Sequence, residues 1–299
     1  MVRGTGLPIT DHLRSVQIGC DAIEDGRDRN DCEIHTEDAS VAAPARHNDA
    51  MKLSVQCYTL RDDFAKDPWG TFTALKNLGV NYVEIGGTYG IPPKELKEGL
   101  DKMGLKVSAN HVGIDQLEGD LDADIKENHV IGNPCIVLPW IGEDRYGKGW
   151  AKFAKELEPI GARLKAAGFQ FCYHNHNFEF KLENGRPGLD IFYEAADANL
   201  IQAQIDTYWV AYGGGDPATY IKKLKGRIPQ VHFKDGKIGG PEPYWMEVGY
   251  GDLKWDPILA ACKESNVEIG SIELDLCPHE PIESVRMSVE FLRGKGITE

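Results

Sequence analysis

The chain has 299 residues, 41% of them hydrophobic, and a formal net charge of −14 at pH 7. That is enough apolar material for a large core, while no apolar run approaches the ~20 residues of a membrane span. The acidic balance argues against nucleic acid or an anionic membrane surface as the main partner, since both are held by clustered Lys and Arg.

Seven cysteines without a CxxC pair argue against a disulfide framework and fit a reduced, cytoplasmic setting. Cys57, Cys135 and Cys172 lie in apolar runs and read as small buried hydrophobes. Residues 1–50 carry ten acidic and five basic residues, a net −5 that leaves −9 for 51–299. They show neither a 2.0 nor a 3.6 period, and no apolar stretch of signal-peptide type. They read as an irregular, dispensable extension. Met51 opens directly into the strand-like KLSVQC.

From there a strand-like run and a helix-like run alternate eight times. The first unit is 52–57 followed by 68–78, where Phe72, Leu75 and Leu78 form an apolar stripe and Gly79 ends the helix. The second is 82–85 then 92–103, with proline at its start and Gly104 after its end. The third is 106–111 then 115–131, and the fourth 134–139 then 149–167, closed by Gly168. The fifth is FQFCYHNHNFEF, 169–180, with a short helix at 189–196. The sixth is 201–206 then 216–224, the seventh 228–234 then 255–265, and the eighth 267–274 then 281–292, ended by Gly294. Eight βα units in one chain predict an α/β fold, a single-domain (β/α)8 TIM barrel over 51–299.

In that fold the active site lies at the carboxyl ends of the strands. Glu84, His111, the polar cluster 174–179, Asp206, His232, Lys234, Glu273 and Asp275 all fall at or just past such ends. One glutamate there is ordinarily a solvated loop carboxylate. Four groups on four consecutive strands point at one axial region, so Glu179, Asp206, His232 and Glu273 are expected to hold a divalent cation that offsets carboxylate repulsion. Hard oxygen ligands favour Mn²⁺ or Mg²⁺, with Co²⁺ or Zn²⁺ as alternatives.

Around that centre, His111 is a substrate contact or a wall histidine. His174 and His176 share one strand face and are expected to touch substrate or to orient the ligands. Lys234 is expected on a substrate oxygen, or in a salt bridge to Asp235 or Glu273. Glu84 is a substrate contact or a wall residue. Trp140 and Trp209, with Tyr208 and Trp245, offer an apolar platform for a sugar ring, although aromatics on barrel strands more often serve packing. Gly213–Gly215 lacks a phosphate-loop pattern and reads as a flexible loop.

YTLRD (58–62), YHNHNFEF (173–180), DTYWV (206–210), VHFKD (231–235), VGYGDLKW (248–255) and IELD (272–275) together resemble the sugar phosphate isomerase/epimerase family. This is the xylose isomerase-like TIM barrel superfamily that also includes ketose 3-epimerases, inosose dehydratases and endonuclease IV. The resemblance spans about 51–293. It implies a metal held by Glu179, Asp206, His232 and Glu273, with Glu179 and Glu273 doubling as the acid/base pair. It also implies a small carbohydrate substrate and barrels that pair, as a homodimer or with another subunit. The chain departs from the family's D-T-x-H pattern by carrying Trp209 where several relatives have histidine. That weakens both a strict ketose epimerase and a three-metal nuclease.

The expected activity is carbohydrate isomerisation or epimerisation by proton abstraction next to a carbonyl, through a metal-stabilised enediolate. The alternative is a lyase or dehydratase acting on oxidised sugars or keto-glycosides, because the same enediolate can expel a β-substituent. A non-catalytic sugar-binding barrel and an endonuclease IV-like repair enzyme are the remaining readings. If the extension is dispensable, a chain begun at Met51 keeps the melting temperature and turnover of the full chain. Loss of either on truncation would reject that reading.

Overall fold

The computed structural model describes residues 51–297. The extension at 1–50 lies outside the described residues. Eight parallel strands close into one barrel: β1 (Lys52–Gln56), β2 (Tyr82–Ile85), β3 (Lys106–His111), β4 (Cys135–Leu138), β5 (Gln170–His174), β6 (Gln202–Asp206), β7 (Gln230–Phe233) and β8 (Ile269–Ile272). Each pairs with its neighbours in sequence, and β8 returns to β1 with Lys52 opposite Ile269 and Val55 opposite Ile272.

The expected helices wrap this barrel: α1 (Pro68–Asn77), α2 (Pro93–Met103), α3 (Leu121–Ile131), α4 (Trp150–Ala166), α5 (Gly188–Ala195), α6 (Pro217–Lys223), α7 (Trp255–Glu264) and α8 (Pro281–Gly294). Three boundaries have local chemical causes. Gly104 takes a left-handed φ of 66° after α2, where a side chain would be strained. The third helical run, expected to be continuous, is divided into Ile114–Glu118 and α3, and Asp120 caps α3 by accepting from Ala123 N–H. Helix α8 runs through Gly294 instead of stopping before it, and Gly296 supplies the left-handed residue at φ 89°.

Strand alternation sorts the side chains into two environments. Outward residues such as Val55, Ile136, Leu138, Phe171, Ile205, Val231, Phe233 and Ile272 join helix residues including Phe72, Leu96, Phe153, Phe192 and Val285 in one apolar core. A second, small apolar cluster holds Ala109, Cys135, Val137 and Cys172. Cys57, Cys135 and Cys172 are free and buried, as their apolar runs imply. The rest of the barrel interior is polar: Ser54, Gln56, Glu84, Gln204, Gln230 and Ser271 are all buried. Buried polar groups are stable there chiefly when hydrogen-bonded: Glu84, Gln204 and Gln230 bond to one another across the barrel, and Ser54 bonds to Ser108.

After β7 the chain forms a hairpin, Asp235–Lys237 with Tyr244–Met246, and then winds round the side chain of Asp235. That carboxylate accepts from the N–H groups of Gly249 (3.0 Å), Gly251 (3.2 Å) and Leu253 (3.3 Å) and from Trp255 Nε1 (2.7 Å). Gly251 is required because a Cβ there would lie 2.0 Å from Asp235 Oδ1. Asp235→Ala strands these donors, each fully buried one costing about 1–3 kcal/mol. Of these donors Trp255 Nε1 is fully buried and the three N–H groups partly so, giving an expected loss of about 1–3 kcal/mol, or roughly 2–12 °C in melting temperature. An unchanged melting curve would show that the loop is held by other contacts.

Candidate active site

The carboxyl ends of β2, β3 and β5–β8 deliver the polar groups to one region. Glu84, at the end of β2, is fully buried and takes three donors. His111 Nε2 is 2.6 Å and Gln204 Nε2 2.8 Å from Oε1, and His232 Nε2 is 2.9 Å from Oε2. It therefore lies beneath the site as a hub, with its oxygens turned to protein donors and not to a substrate. His111 is in the wall as its partner, with its ring 5.6 Å from that of His232 and 12° from parallel to it.

His232 is bonded at both nitrogens, to Glu84 through Nε2 and to Glu273 Oε2 through Nδ1 at 3.0 Å. Burial opposes charging of this ring, but the carboxylates of Glu84 and Glu273 outweigh it and raise its pKa to about 10. Lys234 Nζ lies 2.8 Å from Glu273 Oε2, 2.7 Å from Asp275 Oδ2 and 3.5 Å from Asp206 Oδ2. Of the two alternative salt-bridge partners expected for Lys234, Glu273 is the one present, because Asp235 is committed to its loop. Burial works against the Lys234 ammonium, yet Glu273, Asp206 and Asp275 hold its pKa well above the ordinary lysine value. In turn, and also against burial, Lys234 and His232 keep the Glu273 carboxyl well below the usual range.

Asp206 ends β6 and caps the short helix Thr207–Tyr212, its Oδ1 accepting from Trp209 N–H at 2.8 Å. Its Oδ2 is buried without a hydrogen-bond partner, 4.0 Å from His174 Nε2. Donor atoms of His174, Asp206, His232 and Glu273 all lie within 4.8 Å of one another. This set fits a divalent cation in the chemistry of its donors, two carboxylates and two imidazoles: Asp206 Oδ2 makes no hydrogen bond, and His232 would ligate through Nδ1 by giving up its bond to Glu273 while Nε2 stays on Glu84. His174 takes the place in it that the sequence assigns to Glu179. A second group, His111, His174 and His232, converges equally closely, but His111 Nε2 is already turned to Glu84.

Glu179 sits in the short 3-10 turn Phe178–Phe180 after β5. Its Oε1 accepts from Tyr173 O–H at 2.7 Å and its Oε2 from His176 N–H at 2.9 Å. Burial, assisted by the nearby Asp206 charge, outweighs these bonds and pushes its pKa up to about 8. The two glutamates of the expected acid/base pair are thus driven in opposite directions.

An aromatic wall lines the other side. The Trp209 ring is 5.4 Å from His176 and 6.1 Å from Trp245, which the hairpin supplies, and Lys234 Nζ lies 5.3 Å over it. Trp209 Nε1, Trp245 Nε1 and His176 Nδ1 are buried without a protein partner, so this wall offers unspent hydrogen-bonding groups beside the charged centre. Tyr208 is packing instead: it is buried, and its hydroxyl accepts from Tyr244 N–H. Trp140, just past β4, is 58% exposed. The triple glycine is packed: a Cβ on Gly213 or Gly215 would come within 3 Å of the Phe180 ring.

Gln204 and Gln230, which the strand-end reading passes over, lie beneath the candidate site and tie Glu84 and His174 to the barrel interior. Their signal was available: Gln204-x-Asp206 and Gln230-x-His232-x-Lys234 put polar residues at alternate positions, on one strand face.

Comparisons with known proteins agree with this architecture. The model of the xylose isomerase-like TIM barrel family matches residues 72–295. Inosose dehydratase of Lacticaseibacillus casei is 26% identical over 254 residues, covering 72% of this chain and 85% of the relative. Its counterpart in Clostridium perfringens is 22% identical over 219 residues, covering 67% and 69%. A sugar phosphate isomerase/epimerase from Parabacteroides distasonis superposes with a TM-score of 0.71 at 21% identity, covering 86% of this chain and 98% of that one. A probable 3-DHS dehydratase from Bacillus anthracis gives 0.62 at 15% identity, with coverage of 81% and 99%. Among the described residues no helix is long and apolar enough to cross a membrane. With an eight-stranded parallel barrel, its polar groups gathered at the carboxyl ends of the strands, and a family match across three quarters of its length, this chain belongs to the xylose isomerase-like TIM barrel family.

Proposed function

We propose that this protein is a metal-assisted lyase that dehydrates a polyhydroxylated ketone, removing a proton next to the carbonyl and expelling the hydroxyl on the following carbon. The observation that carries the reading is the convergence of His174, Asp206, His232 and Glu273 on one centre, with Glu179 outside that set driven to the opposite acidity from Glu273 within it. The inosose dehydratases among its relatives support elimination over isomerisation as the outcome. His174, Asp206, His232 and Glu273 would hold the cation, which when bound polarises the substrate carbonyl and so acidifies the adjacent C–H.

The chain's own residues divide the proton work. Glu273 stays ionised between Lys234 and His232 and is the base that takes the carbon-bound proton. Glu179, with its pKa raised to about 8, carries a proton at neutral pH and gives it to the departing hydroxyl. Two carboxyls with separated pKa values are the expected signature of such a division. The C–H and C–O bonds break, a C=C bond forms and water leaves. Trp209, Trp245 and His176 present an apolar face with unpaired polar atoms to the hydroxylated ring. His111 and Glu84 stay beneath, holding His232.

Epimerisation shares the first step and differs in its end, since the carbanion is then reprotonated at carbon. An L-ribulose 3-epimerase superposes with a TM-score of 0.61 at 14% identity, which shows that the fold serves that outcome elsewhere. Incubation of Mn²⁺-loaded protein with inososes and other keto-polyols in D₂O separates the two. Loss of water with a new conjugated absorbance is expected, whereas deuterium incorporation into an otherwise intact polyol would establish isomerase chemistry.

Turnover is expected to vanish with a chelator and return with Mn²⁺. Glu273→Gln removes the base and is expected to lower kcat about 10²–10⁴-fold. The pH profile has a defined sign: Glu179 must hold its proton, so kcat/KM falls as pH rises through about 8. Glu179→Gln should abolish that alkaline limb along with most of the rate. An alkaline limb that persists in Glu179→Gln would assign it to another group.

A further inference from the structure

We propose that Gln204 is a positioning residue that decides which nitrogen of His174 carries the proton, and so turns the lone pair of Nε2 toward the Asp206–Glu273 centre. Hydrogen-bond polarity sets this, starting from an atom that cannot change role. The backbone carbonyl of Ser108 only accepts. Gln230, buried across the barrel from it, must therefore present its amide nitrogen there, at 3.1 Å, which leaves Gln230 Oε1 as an acceptor. Gln204 Nε2 lies 3.2 Å from that Oε1 and 2.8 Å from Glu84 Oε1. Both neighbours accept, so the Gln204 amide is pinned from two sides, and turning it over would set its oxygen against a carboxylate.

The Gln204 Oε1 that remains is 3.1 Å from His174 Nδ1. An amide oxygen cannot donate, so the proton of the His174 ring is on Nδ1 and the lone pair is on Nε2. That Nε2 is the atom 4.0 Å from Asp206 Oδ2, which makes no hydrogen bond. Gln204 is fully buried, and Gln230 and His174 are almost so, which leaves little water to offer either ring nitrogen another partner.

The same polarity makes a distinction among the histidines. His111 Nε2 faces two acceptors, Glu84 Oε1 at 2.6 Å and Gln204 Oε1 at 3.3 Å. It holds a proton there, and cannot give that nitrogen to an ion. His174 and His111 share one amide oxygen but have opposite duties: His174 offers a ligand, and His111 helps to brace the amide and Glu84.

The tautomer follows from hydrogen bonding alone; its use in ligation rests on the metal centre proposed above. The test is ¹⁵N-histidine NMR of the full metal-free chain, with Mn²⁺ titration calorimetry beside it. In the wild type His174 is expected to carry its proton on Nδ1. Gln204→Met keeps the length but removes the acceptor, and is expected to lose that preference and to weaken Mn²⁺ binding about 10–100-fold. Gln204→Glu, whose protonated carboxyl donates to Glu84 and accepts from His174, is expected to retain both. A wild-type His174 with its proton on Nε2 overturns the proposal, even if Gln204→Met does not fold. A tautomer unmoved by Gln204→Met overturns it as well. A wild type that binds no Mn²⁺ takes down the metal reading instead, while its NMR spectrum still decides the role of Gln204.

Discussion

A line of alternating charge runs through the mouth of this barrel. Glu84, His232, Glu273, Lys234 and Asp275 follow one another at 2.9, 3.0, 2.8 and 2.7 Å, and the first four are almost wholly removed from water. A carboxylate buried alone costs several kcal/mol or gives up its charge, so each member of the line depends on the next. Asp206 stands beside it, with Oδ2 making no hydrogen bond and lying 3.5 Å from Lys234 Nζ. The demand is geometric: side chains from β2, β7, β8 and the loop beyond β8 must meet to within hydrogen-bond distance. A closed barrel, whose strand ends converge on one axis, supplies that convergence.

Two dissimilar surroundings press on this line. Beneath it, the barrel interior is a network of neutral amides and hydroxyls, Ser54 with Ser108 and Gln204 with Gln230, that hands a fixed hydrogen-bond polarity up to the histidines. Beside it, Trp209 and Trp245 close an aromatic wall. The Trp209 ring covers the Lys234 ammonium. A cation over an aromatic face is stabilised by the ring quadrupole. Trp209 thus gives the wall an apolar surface and keeps the buried cation company.

The loop after β7 links this chemistry to the fold. Lys234 belongs to the charged line, while its neighbour Asp235 points the other way and gathers the N–H groups of Gly249, Gly251 and Leu253. Adjacent residues on an extended segment face opposite sides, so one short stretch serves both purposes. Beyond the hairpin turn of the same loop, Trp245 reaches the aromatic wall from the strand paired with Asp235–Lys237.

By itself the sequence determined the periodic features. Eight alternations of apolar β-rich runs with capped, amphipathic runs declare the barrel, because burial obeys a period of 2.0 in strands and 3.6 in helices. Strand ends, once located, name Glu84, Asp206, His232, Lys234 and Glu273, since the fold directs such positions to one face. Tertiary structure decided what each group touches. Glu179 follows its strand by five residues, and only the turn at Phe178–Phe180 determines that its carboxylate folds back on Tyr173 and His176 N–H. Whether Lys234 pairs with Asp235 or Glu273 depends on a loop that claims Asp235 first. Gln204 and Gln230 look like any polar residues in a strand until the barrel closes, because their partners are 26 to 122 residues away in sequence. Periodicity is a local property and is written along the chain, whereas the direction of a hydrogen bond across a closed barrel is set by partners that only closure brings together.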